Sequence, residues 1–111
     1  MIWRGEIYDV DLGVPVGHAP ASLRPGVVVS ADLINNGPGA LVGVVPIIST
    51  RYKLRSHVEL EPGTSGLEHE SFARCDQLRM ISIRRLSTQR GRIPTEEMHH
   101  IDQALRFVLD L

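Results

Sequence analysis

The chain has 111 residues, 42% of them hydrophobic, and its 12 basic and 13 acidic side chains leave a formal net charge of −1. That length supports one core and leaves no room to divide it, so a single domain spanning residues 1–111 is expected. No apolar run approaches a membrane span, no leader pattern is visible, and the lone Cys75 rules out an internal disulfide and a zinc-type cysteine spacing, so a cytoplasmic protein is expected.

The charge is unevenly placed. Residues 51–92 carry nine basic against five acidic side chains, and eleven of the chain's twelve bases are arginine. The guanidinium fork matches phosphate geometry, so the local excess leans towards a polyanionic partner, although a solvated basic face has the same composition.

From Ile7 the chain alternates, with Ile7, Asp9 and Asp11 on one side and Tyr8, Val10 and Leu12 on the other, which predicts a half-buried strand. Gly13 to Ser22 holds two glycines and two prolines without periodicity and predicts a loop. It is longer than most connections, which suits a functional role. The loop leads into Leu23-Arg24-Pro25-Gly26-Val27-Val28-Val29-Ser30, where Val27 to Ser30 reads as a strand buried on both faces. Pro25 biases Arg24 to extended backbone, setting a guanidinium at a rigid strand entrance. Such a cation suits a bound phosphate or carboxylate; the plainer alternative is an ion pair with Asp9 or Asp11.

Asn35-Asn36-Gly37-Pro38-Gly39 predicts a turn, and Ala40 to Ile48 a third buried strand with a bulge or an end at Pro46. Beyond Ser49 and Thr50, Arg51, Lys53 and Arg55 share one face if the segment is extended. They would then form a cationic edge that tracks phosphates, with Tyr52 either stacking a base or buried. His57 to Leu60 reads as a short strand, Gly63 to Gly66 as a turn, and Phe72 to Ile81 as one further strand. Ser82 to Leu86 is a connector and Gly91 to Ile93 a brief edge strand. From Thr95, the spacing of Met98, Ile101, Leu105 and Val108 predicts a helix, with Glu96 and Glu97 favoured by the dipole in its first turn. Many short strands and one terminal helix predict a mainly β fold, a small curved barrel or roll capped by the helix.

Among the titratable groups, His18 stands in the loop ahead of Arg24 and is a candidate for proton transfer, the alternative being an exposed loop histidine. His57 opens a strand and reads as structural. His99 and His100 point about 100° apart on a helix and cannot readily grip one ion, so no metal site is expected. Cys75 lacks a neighbouring cue for a nucleophile and reads as a buried strand residue.

The motifs in order form a resemblance. Arg4-Gly5-Glu6-Ile7-Tyr8, continuing to Val10-Asp11-Leu12, is followed by a glycine-containing loop into Arg24-Pro25 and Val27-Val28-Val29-Ser30. Val45-Pro46-Ile47-Ile48-Ser49-Thr50, then Asp76-Gln77-Leu78-Arg79-Met80-Ile81, then Gly91-Arg92-Ile93 complete the series. This series resembles the PemK/MazF family of bacterial toxins over nearly the whole chain. The resemblance implies a homodimeric, SH3-like β-barrel that cuts single-stranded RNA at short specific sequences without a metal or other cofactor. It implies attack of the 2′-hydroxyl on the neighbouring phosphate, leaving a cyclic phosphate and a 5′-hydroxyl, and inhibition by an acidic, MazE-like antitoxin.

By the same resemblance Arg24 matches the family's catalytic arginine, where a fixed cation would meet growing phosphorane charge. The family's catalytic threonine or serine falls on Ile48, which has no hydroxyl. Ser49, and after it Thr50, are the candidates to replace it if a bulge near Pro46 shifts the register by one. Ala19 stands where the family often has a glutamate. Asp76 and Gln77 fall where the family reads RNA, the alternative being a buried strand-to-strand hydrogen bond. Two further readings are an RNA- or antitoxin-binding module that has lost catalysis, and a gyrase poison of a related toxin family. The second conflicts with Arg106 to Leu111, which reads as core packing rather than an aromatic and charged binding face.

Overall fold

The computed structural model describes residues 1–13, 23–63 and 65–111. Its strands are β1 (Glu6–Asp11), β2 (Leu23–Val28), β3 (Leu41–Ile48), β4 (His57–Leu60), β5 (Ser71–Arg74), β6 (Arg79–Ser82) and β7 (Leu86–Arg92). All pairings are antiparallel, in the order β4-β5-β3-β2-β1-β7, with β6 also paired to β3. Among the described residues no ladder joins β7 back to β4. Helices α1 (Asp32–Asn35) and α2 (Thr95–Leu109) and 3₁₀ turns at Cys75–Gln77 and Ile83–Arg85 complete the elements of the described residues. The mainly β architecture with a C-terminal helix is the one the sequence implies, and among the described residues no helix is long and apolar enough to cross a membrane.

Strand alternation builds two cores. Ile7, Val27, Val45 and Ile47 enter the first, which α2 closes with Met98, Ile101 and Ala104; Tyr8, Val10, Val28, Val42 and Val44 enter the second. The sheet is therefore apolar on both faces, which is why its central strands read as unbroken hydrophobic runs. Arg4 ties α2 to the sheet: its Nη2 pairs with Asp102 and its Nε donates to the Val29 carbonyl at 2.7 Å.

Several expectations are corrected. β2 begins at Leu23 and ends at Val28, so Arg24 and Pro25 lie within the ladder, opposite Val10 and Asp9. Helix α1 precedes the Asn36–Gly39 turn; its last residue, the buried Asn35, bonds to the Ser30 side chain and donates to the Ser30 carbonyl at 3.0 Å. Pro46 neither bulges nor ends β3. It falls between the last pair with β6, Val44 with Arg79, and the first pair with β5, Ile47 with Ala73, on the edge where the two neighbours change over. No ladder partner faces it there, so its missing N–H costs little.

The same changeover explains why Phe72 to Ile81 is not one strand. β5 and β6 pair with opposite ends of β3, and the 3₁₀ turn at Cys75–Gln77 carries the chain between them. Residues 51–54 form no strand, and Lys53 has φ +56, so the alternation that would align Arg51, Lys53 and Arg55 is broken. β7 is longer than predicted, and the register shifts lie between it and β1. At the C-terminus Phe107 is not core: it is 47% exposed, with the Arg55 guanidinium 4.2 Å from its ring centroid.

Candidate active site

A cleft of about 410 Å³ opens where the start of β2, the end of β3, the β4–β5 connection, β5 and β7 converge. Arg24, Ile48, Ser49, Thr50, Tyr52, His69, Arg74 and Arg90 are among the residues that line it. Arg24 is exposed at the second position of β2, and its backbone is held by pairing with Val10 and by Pro25. The acids that offered it a local partner are engaged elsewhere. Asp9 lies 3.3 Å from the Arg90 guanidinium, and Asp11 accepts the Gly13 N–H at 2.9 Å.

Ser49 and Thr50 share the cleft with Arg24, but not through a bulge: β3 runs in register to Ile48, and both exposed hydroxyl residues follow its end. Ile48 sits half-buried in the lining, presenting methyl groups at the position where the resemblance places a hydroxyl. Tyr52 is 56% exposed and forms part of the wall, so it is not a core residue.

The opposite wall depends on close backbone contact. A Cβ on Gly66 would lie 2.0 Å from the Arg90 carbonyl oxygen, and one on Gly91 would lie 2.3 Å from that of Ser65. Only glycines let the β4–β5 connection rest directly on β7, which brings Glu68 and His69 to the same cleft as Arg90.

The other predicted contacts are not gathered here. Arg51 pairs with Glu59 and with Glu70, the latter at 2.7 Å, and lines a neighbouring depression with Lys53. The hydrogen bonds that Arg51 donates to Glu59 and Glu70 raise its pKa further. Arg55 turns to the α2 side, beside His57 and Phe107. Asp76 and Gln77 sit on the 3₁₀ turn, exposed rather than in a strand-to-strand bond, and outside the cleft lining. His18 and Ala19 lie outside the described residues. Cys75 is buried in the turn, and burial, followed by the nearby Asp76 charge, pushes its thiol up to about 12, so it is no thiolate at neutral pH. His99 and His100 are exposed on α2, and among the described residues no three His, Cys, Asp or Glu side chains converge as metal ligands.

Arg74, Arg90 and His69 were not singled out from the sequence. Arg74 and Arg90 contribute to the basic excess, but nothing local in the chain says that β5 and β7 bring them to Arg24.

The arrangement can bind an anionic, extended ligand: three guanidinium groups, two hydroxyl side chains and an exposed aromatic ring face one open cleft. The model of a family described as PemK-like, MazF-like toxins of type II toxin–antitoxin systems matches residues 3–109. The chain is 38% identical over 117 residues to endoribonuclease MazF9 of Mycobacterium tuberculosis, covering all of this chain and 98% of that protein. It is 31% identical over 112 residues to endoribonuclease EndoA of Bacillus subtilis, covering all of this chain and 97% of the relative. Among solved structures, an endoribonuclease in complex with its cognate antitoxin from Mycobacterial species superposes with a TM-score of 0.82 at 25% identity, covering 100% of this chain and 97% of that one.

Proposed function

The chain belongs to the PemK-like, MazF-like toxin family of type II toxin–antitoxin systems, and from that membership and the cleft we propose that it is an endoribonuclease that cuts single-stranded RNA. The observation that carries the reading is the convergence of Arg24 with Ser49 and Thr50 in one open, arginine-lined cleft. In this reading the 2′-hydroxyl attacks the adjacent phosphorus, the bond to the 5′-oxygen breaks, and the products are a cyclic phosphate and a 5′-hydroxyl. Arg24 stabilises the negative charge that grows on the phosphoryl oxygens, and Ser49, with Thr50 as second candidate, supplies the hydroxyl that hydrogen-bonds there. No metal takes part. Lys53 and the Gln77 amide, both exposed, contact flanking nucleotides, whereas Arg55 faces α2. The cut is sequence-specific, the working unit is a homodimer, and an acidic MazE-like antitoxin silences it in the cytoplasm. The relatives named as endoribonucleases and the solved complex with an antitoxin support this reading.

The test is to incubate the purified chain with single-stranded RNA in EDTA and to identify the ends. Discrete cuts with cyclic phosphate ends are expected, and Arg24→Ala should lower kcat by on the order of 10²–10³ with the fold intact. Full activity in a well-folded Arg24→Ala protein would remove Arg24 from the mechanism. Ile48 in the lining favours a second reading, a binding module of the same fold. Retention on RNA with no cuts would select it.

A further inference from the structure

Asp76 enters the sequence reading as a group that hydrogen-bonds base edges, yet its carboxylate is already engaged. Arg74 Nε lies 3.4 Å from Oδ1 and Nη2 lies 3.2 Å from Oδ2, so both oxygens face the guanidinium. On the other side, His57 Nε2 lies 3.3 Å from Oδ1, with an imidazole whose side chain is only 3% exposed. His57 and Arg74 are direct cross-strand partners on β4 and β5, and the 3₁₀ turn folds Asp76 back beside both. The His57 ring also meets the Tyr52 ring edge-on, centroids 5.7 Å apart. Burial acts to raise the Asp76 carboxyl, but the Arg74 hydrogen bonds, its charge and the His57 charge outweigh it and hold it below its ordinary value.

Arg74 and Tyr52 both line the cleft, whereas Asp76 does not. A bare arginine at a strand end loses side-chain entropy when it grips a phosphate; one braced by a carboxylate from behind has lost much of it already. Arg74 Nε and Nη2 each face one carboxylate oxygen, which leaves other guanidinium donors for a ligand.

We propose that Arg74 is a second phosphate-gripping residue of the cleft, and that Asp76 is a positioning residue for it rather than a reader of bases. The phosphate it takes is another in the strand whose scissile phosphate meets Arg24, so the proposal rests on the nuclease reading above.

Electrostatics supplies a test with opposite signs. Asp76→Asn removes a negative charge beside a polyanion, which on charge alone tightens RNA binding. If Asp76 acts through Arg74, the substitution weakens binding. The probe is a mixed-sequence single-stranded RNA with every ribose 2′-O-methylated, which binds but cannot be cut by its own hydroxyl; unmodified RNA of the same sequence reports cleavage. Arg74→Ala should raise Kd about tenfold and lower the slope of log Kd against log salt by about 0.7, one phosphate contact on a single strand. Asp76→Asn should raise Kd severalfold, Asp76→Glu should recover part of that loss, and Asp76→Asn added to Arg74→Ala should change nothing more. Thermal melts confirm that each variant is folded. Tighter binding by Asp76→Asn, or an unchanged Kd and salt slope in Arg74→Ala, overturns the proposal while wild-type cleavage leaves the nuclease reading standing. A wild-type chain that neither cuts nor retains RNA overturns the nuclease reading, and this proposal with it.

Discussion

A guanidinium in water is one charge among many. At the lip of the cleft Arg24 gains direction from Pro25 and from its pairing with Val10, while Asp9 and Asp11 are occupied by Arg90 and by the Gly13 amide. The residue was legible in the sequence because its constraint is local, a proline next in the chain. Arg74 and Arg90 were not, since only the ladders bring them near. The hydroxyls follow the same division. Ser49 and Thr50 reach the cleft as the residues just past β3, with no register shift needed. In the nuclease reading Ser49→Ala should lower kcat by on the order of 10² with little change in KM, and Thr50→Ala should do much less. Single-turnover cleavage of one RNA by both variants decides it, and the reverse ranking would move the role to Thr50.

At the scale of elements, the site depends on three junctions: β3 changing neighbours at Pro46, the 3₁₀ turn between β5 and β6, and the seat of the β4–β5 connection on β7. Periodicity foretold α2 and the alternation of β1, because each reports a face turned to one core. It failed across Phe72 to Ile81, where a strand-like composition hides a change of partner strand, and at α1, where four residues are too few for a period to show. The glycine seat gives a prediction. Gly91 has no positive φ, so Gly91→Ala tests sterics alone, and its Cβ would meet the rigid Ser65 carbonyl at 2.3 Å. Denaturant unfolding should show a loss of about 1–3 kcal/mol, and cleavage should fall with it as Arg90 and His69 separate. An unperturbed Gly91→Ala protein would mean that the connection is not seated in this way.

For the whole molecule, two cores on one sheet leave acid and alkali different points of attack. Below the ordinary carboxylate value of 3.8, Asp76 must be protonated against its partners, so the stability it contributes is present above that pH and is lost as the pH falls through its lower folded value. At the alkaline end the sign reverses. The unfolded Cys75 thiol ionises near 9.0 while the folded one holds its proton to about 12, so the unfolded chain sheds a proton the folded chain keeps and stability declines as the pH rises between them. Tyr8, raised above 10.0 by burial and then by Glu6, adds a decline that begins later. The thermal midpoint should therefore fall above pH 9, and Cys75→Val should delay that fall until Tyr8 takes effect; an identical pH profile in the variant would contradict this account. The fold class was legible because composition and turn spacing mark many short strands and one terminal helix, whereas the cleft forms only when five separate segments meet. β5 reaches β3 through two residue pairs, Ile47 with Ala73 and Ile48 with Phe72. So short a stitch opens before the longer ladders do. A nick or a crowding substitution in that corner would disarm the protein while the helix and the other strands stay assembled: it can lose its bite and keep its shape.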